Sequence, residues 1–157
     1  MIRPITSPEL PACLALIQSA FAPVMARFHV TKDNAPYHVA FMALDDFVCD
    51  FDNMSMYGYF CGEELAGFVA LEKLDGNEYR VNYFTVAPEH QRRGIGAALL
   101  NFCKAQINVG ETLSLYFINA NEPLKAWYIK QGLSYTGTRR VDYLPFEQGR
   151  MEWIKTG

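Results

Sequence analysis

A chain of 157 residues, half of them apolar and 14% aromatic, forms one globular domain with its own core and is not a disordered segment. Its formal charge of −3 comes without any long basic run, which argues against a nucleic-acid partner held through phosphates. Cys13, Cys49, Cys61 and Cys103 stand far apart with no CxxC pair, the start lacks a secretory pattern, and no run approaches the roughly 20 apolar residues that span a bilayer. A reduced, cytoplasmic protein with no membrane partner is the expectation.

Taken in order, Ile2 to Thr6 can form a short strand, and Ser7-Pro8-Glu9 supplies a cap, a first-turn proline and an early acid for a helix. Leu10, Cys13, Leu14, Ile17 and Phe21 carry that helix to about Ala20, with Pro23 and the stretch His29 to His38 breaking it. A second helical segment falls within Tyr37 to Phe51. Met54 to Cys61, Leu65 to Leu74 and Tyr79 to Val86 read as strands of a meander, with Asp75-Gly76-Asn77 as a hairpin turn. Beyond a central helix, Thr112 to Asn119 should run parallel to the strand before it, as in a crossover unit. Asn121 to Gln131 is helical and stops at Gly132. Leu133 to Val141 and Arg150 to Lys155 are the last strands, and their exposed edges make a homodimer plausible. The sum is an α+β fold, an α/β/α sandwich whose mixed, mostly antiparallel sheet has six to seven strands.

The stretch from Phe84 to Gln106 organises the rest. Gly96, Leu99, Leu100, Cys103 and Ile107 recur on one helical face. No Ser, Thr, Asp or Asn caps the helix, so its first amides lack a side-chain acceptor. Arg92 and Arg93 also sit at the end that the helix dipole makes positive. Free donors with added cations read as the seat of an anion, and Gly94 and Gly96 let the backbone approach it. A P-loop is excluded for want of GxxxxGK, and a dinucleotide fingerprint because Leu99 holds the third glycine position.

What fits is V-x-P-x-x-Q-x-x-G-x-G, here Val86, Pro88, Gln91, Gly94 and Gly96. This closely resembles the acyl-CoA-binding motif of the GNAT superfamily of N-acyltransferases. A second run, Asn121 to Leu133, resembles the superfamily's N-x-x-A-x-x-x-Y-x-x-x-G-F pattern through Asn121, Tyr128 and Gly132, with Leu124 and Leu133 departing from it. The resemblance implies the same α/β/α fold and acetyl-CoA as co-substrate. It implies that amides from Gln91 through Arg92, Arg93, Gly94, Ile95 and Gly96 to Ala97 wrap the coenzyme's pyrophosphate. Phe84 and Val86 would line the pantetheine arm, Val86 through backbone hydrogen bonds, and Asn121 would meet it by its side chain. Tyr128 would be the general acid, giving a proton to the departing thiolate. The implied activity is transfer of an acetyl group to a primary amine, small or peptide-borne. A non-catalytic acyl-CoA sensor of the same fold is the alternative.

The base that would deprotonate the amine stays unassigned, with a water relay as the default. Glu72 is possible, as are Asp45, Asp46, Asp50 and Asp52, although a solvated acidic face accounts for that cluster. Asp50-Phe51-Asp52 fails as a calcium loop, since Ser55 and Cys61 replace the needed Gly and Glu. His29, His38 and His90 lack metal spacing, and no metal is expected. Aromatics mixed with acids fill the first 60 residues (Phe28, Tyr37, Phe41, Phe47, Phe51, Tyr57, Tyr59 and Phe60). Where these line the acceptor pocket they favour a cationic, partly apolar amine.

Overall fold

The computed structural model describes residues 1–157. Seven strands form one sheet: β1 (Ile2–Pro4), β2 (Ser55–Cys61), β3 (Glu64–Lys73), β4 (Glu78–Val86), β5 (Thr112–Ile118), β6 (Ser134–Arg139) and β7 (Gln148–Ile154). Their order is β1-β2-β3-β4-β5-β7-β6, and every neighbouring pair is antiparallel except β4 and β5. The apolar run predicted at β3 is continuous because both faces of that strand are covered. Val69 and Leu71 pack on one side under α3 (Ile95–Gln106), whose Leu99, Leu100 and Cys103 carry the predicted stripe. Phe68 and Ala70 pack on the other under α1 (Leu10–Arg27) and α2 (Leu44–Phe51). The fourth helix, α4 (Glu122–Lys130), joins α3 on its face through Tyr128. A fully buried leucine such as Leu99 contributes about 1.5–3 kcal/mol.

Three sequence expectations are corrected at α1 and its start. The helix runs through Pro23 to Arg27 instead of ending near Ala20. Pro23 forfeits one helical hydrogen bond, but burial of Met25 beside Val30, Ala35 and Ile118 holds the turn in place. The stop comes at His29, in the left-handed region at φ 56°, where the amides of His29 and Val30 return to the carbonyls of Ala26 and Met25. The second correction concerns length. Ser7–Arg27 spans 21 residues with mean hydropathy 1.4, enough by length and composition to cross a membrane. In this fold its Leu10, Cys13, Leu14 and Ile17 pack on the sheet. At the start of the helical run Thr6 takes the capping place expected of Ser7, and the Thr6 amide donates to Glu9 Oε1 at 2.9 Å.

The feature that shapes the site lies between β4 and β5. They pair in parallel only from Glu78–Arg80 to Thr112–Ser114 and then part. A bulge in β4 sets two residues, Tyr83 and Phe84, against Val69 alone, with Tyr83 at φ 56°. That conformation costs a non-glycine residue about 1–2 kcal/mol. The Tyr83 hydroxyl donates to Asp50 Oδ2 at 2.7 Å and its ring leans on Phe47, which fixes the distorted backbone from α2.

At the closed end a single carboxylate ties three strands. Glu78 Oε2 accepts from Ser114 Oγ at 2.6 Å, Arg80 Nη2 at 3.1 Å and Arg150 Nη2 at 3.3 Å. The Ser114 hydrogen bond, with help from the two arginines, holds the Glu78 carboxyl below the usual glutamate range. Its stabilisation is therefore complete above the unfolded value of about 4.3 and is lost as pH falls through the lower folded value. Glu78→Gln should cost about 1–2 kcal/mol at pH 7. Urea unfolding of variant and parent should converge as pH falls below the unfolded value and through the lower folded one; a gap that persists to the most acid pH at which the parent stays folded would show the ion cluster is not its source.

Candidate active site

The turn from β4 into α3 folds as its sequence dictates. A short 3-10 turn at Pro88–His90 ends β4, Arg92 takes φ 65° and Gly94 φ 80°, and α3 starts at Ile95 with no side-chain cap. The first amide to find a partner is that of Ala98, on the Gly94 carbonyl at 3.0 Å. The six amides from Arg92 to Ala97 donate to nothing in the protein. A helix normally leaves about four such donors, and here two left-handed residues turn additional ones outward. Gly94 would meet nothing within 4 Å if it carried a Cβ, so its glycine answers the backbone angle and not crowding.

Of the residues from Arg92 to Ala97, all but Arg93 line a cavity of about 780 Å³ that passes through the parting of β4 and β5 and takes walls from both faces of the sheet. On the α3 face it is lined by Phe84 and Val86 of β4, by Gln91, Arg92 and Gly94 through Ala97, and by Asn121 and Tyr128. Every predicted site residue lies on this cavity except Arg93. Its side chain turns back to His90, Nη1 lying 3.3 Å from Nδ1. Gln91 donates through Nε2 to the Val86 carbonyl at 3.3 Å and ties the loop to the strand. Asn121 caps α4 by accepting the Leu124 amide at 3.4 Å, while its own NH₂ donates to nothing in the protein.

Tyr128 is wedged where the two strands separate. Its ring stands 6.4 Å from that of Phe84 on β4 and 5.8 Å from that of Phe117 on β5, and only 5% of the residue is exposed. Trp127 packs beside Phe84 at 6.0 Å, and also lies 3.4 Å from where a Gly96 Cβ would stand. The Tyr128 hydroxyl has no partner within the protein, and burial pushes its pKa well above the ordinary phenol value. It is a protonated donor aimed at the cavity.

On the α1 face the walls are Phe21 and Met25, the turn at Tyr37 and His38, and Arg80, Tyr116, Arg139, Tyr143 and Phe146. Sequence reasoning missed this end. Arg80 between Tyr79 and Val81 was a usable sign, but most of the other residues come from a helix end, turns, loops and an edge strand with no shared periodicity to mark them. Of the eight early aromatics, Tyr37 alone borders the cavity, and no Asp or Glu lines it, so the cationic-amine reading that aromatics and acids together would have supported is not borne out there. Asp45, Asp46 and Asp52 are exposed, Asp50 is engaged by Tyr83, and Glu72 accepts from Asn82 Nδ2 at 2.9 Å. His38 cannot take their place as a base. Its Nδ1 accepts the Ala40 amide at 3.1 Å, so the neutral ring keeps its proton on Nε2, and burial holds it neutral.

One group of metal-capable side chains lies outside the cavity: Glu64, Glu89 and His90, with ligand atoms within 4.8 Å of one another. His90 Nε2 is buried without a well-aligned hydrogen bond, 3.2 Å from Glu64 Oε1. With Arg93 donating to Nδ1, the ring proton sits on Nε2 and faces that carboxylate. This is the arrangement of a polar pair, since a ligating nitrogen would need its lone pair free.

The family model for the acetyltransferase (GNAT) domain matches residues 47–132, more than half of the chain. The chain belongs to the GNAT family. Solved structures share the GNAT fold over nearly the whole chain at low identity. The ribosomal-protein-S18-alanine N-acetyltransferase of Escherichia coli has a TM-score of 0.77 at 19% identity, covering 100% of this chain and 94% of that one. An acetyltransferase from Thermus thermophilus gives 0.75 at 16%, covering 98% and 96%. The PaiA N-acetyltransferase of Thermoplasma acidophilum, in complex with coenzyme A, gives 0.72 at 18%, covering 98% of both chains. A search by sequence among curated proteins returns no match.

Gly94 offers a check on the GNAT loop. Gly94→Ala adds no clash, so its cost is the left-handed backbone alone, about 1–2 kcal/mol by urea unfolding. A variant as stable as the parent would mean the loop does not hold this turn in solution.

Proposed function

We propose that this GNAT domain transfers an acetyl group from acetyl-CoA to a primary amine by direct attack within a ternary complex. One observation carries the reading: five residues with unengaged amides, Arg92 and Gly94 through Ala97, line the same cavity as Tyr128, whose hydroxyl is also unengaged. The amides and the positive end of α3 suit a diphosphate, and the parted edges of β4 and β5 suit an extended arm beside Phe84 and Val86. Bound acetyl-CoA would supply the activated thioester.

The chain's own residues then have two tasks. The cavity walls orient the amine, which accounts for much of the acceleration. Tyr128 gives its proton to sulfur as the carbon–sulfur bond breaks and the nitrogen–carbon bond forms, and regains one from water. The amine's surplus proton leaves through water, because neither a carboxylate nor a His lone pair borders the cavity. Cys103 is no acyl carrier, since burial pushes its thiol up to about 12 and leaves almost no thiolate. The four unpaired cysteines agree with a reducing, cytoplasmic setting.

Calorimetry should show acetyl-CoA binding, with ATP competing poorly, and mass spectrometry should find an acetylated amine. Tyr128→Phe should lower kcat about 100-fold or more while sparing acetyl-CoA affinity. Because the phenol pKa is raised, parent kcat should show no decline on the alkaline side up to about pH 10. Binding without turnover on any amine would favour a sensor; loss of binding in Tyr128→Phe would make the residue structural.

A further inference from the structure

The electrostatics of the α1-face end of the cavity select among amines. Two guanidinium groups stand there on one aromatic ring: Arg139 lies 3.6 Å and Arg80 4.6 Å from the centre of Tyr116. Their surroundings differ. Arg80 commits Nε to Ser114 and Nη2 to Glu78, and Arg150 shares Glu78 and binds Glu152. Two carboxylates therefore answer two of the three arginines. Arg139 is the third, and its one hydrogen bond runs from Nε to the neutral Gln148 Oε1 at 2.8 Å. Both of its terminal nitrogens, and Nη1 of Arg80, donate to nothing in the protein. With no Asp or Glu on the wall, this end of the cavity holds uncompensated positive charge.

Around that charge the surface is apolar, from Phe21 and Met25 of α1 to Leu144 and Phe146. A guanidinium held over an aromatic ring presents a fork of donors that matches a carboxylate. A polyamine would bring further positive charge beside Arg139, whose guanidinium no acid offsets. We propose, resting on the acetyl-transfer reading above, that the acceptor is an apolar α-amino acid. Arg139, assisted by Arg80, receives its carboxylate, the apolar walls receive its side chain, and its amine is thereby directed toward the gap that holds Tyr128. The carboxylate is joined to the amine through one carbon, so anchoring the acid also places the nucleophile.

The test compares free apolar amino acids such as phenylalanine, leucine and methionine with their carboxamides, which keep the amine and side chain but lose the charge. Spermidine and a short peptide with a free N-terminus complete the panel. Acetyl-CoA binding is measured first by calorimetry: its failure removes the transferase reading itself, whereas every later outcome bears on the acceptor. The expected result is a kcat/KM for the acids about 10- to 100-fold above that for the amides. Arg139→Gln should collapse this preference toward unity, and Arg139→Lys should restore part of it. The side chain sits on an exposed edge strand, and unchanged thermal unfolding would confirm an intact fold. The proposal is overturned if amides, spermidine or the peptide are preferred, if Arg139→Gln lowers acids and amides alike, or if coenzyme binds and no amino acid is acetylated.

Discussion

Everything that distinguishes this domain depends on the parting of two parallel strands. Beyond Arg80 the ladder between β4 and β5 ends, and the sheet acquires a gap at its centre. A gap in a hydrophobic sheet is costly unless it is bounded, and both ends are. Glu78, Ser114, Arg80 and Arg150 close it below through charge-assisted hydrogen bonds, and Tyr128 fills it above with an aromatic ring. Between them, the left-handed Tyr83 turns β4 aside, held by Asp50 and Phe47. The strain is local and the compensation comes from the far face, a common division of labour at functional sites.

The two ends of the cavity achieve attraction for negative charge by different means. Near α3 it comes from backbone amides, whose direction is fixed by φ and ψ and does not titrate. Near α1 it comes from the guanidinium groups of Arg80 and Arg139 beside the Tyr116 ring. The middle is aromatic, and burial there keeps Tyr128 protonated. The site therefore reads as an electrostatic profile along one channel, positive at each end and neutral at the centre.

The parts of this arrangement legible in the sequence were those with local causes. Alternation, turn chemistry and an uncapped glycine-bearing helix start were enough to mark the strands, α3 and its loop. Arg93 shows where local reasoning ends: adjacent to Arg92 in the same loop, it turns to His90 because a buried ring supplies an acceptor there. Pro23 failed as a stop signal because tertiary burial of Met25 outweighed one lost hydrogen bond. His29, the real stop, carries no glycine to announce it. The α1-face end of the cavity was illegible for a more general reason. It is assembled from a helix end, a turn, three strands and a loop, and its identity exists only in their juxtaposition.

A channel that runs through the sheet has two doorways. Exposed Gln91 and Arg92 frame one, and exposed Tyr37 and Tyr143 frame the other. In the reaction proposed above, donor and acceptor would therefore reach Tyr128 by separate routes, one from each face of the sheet.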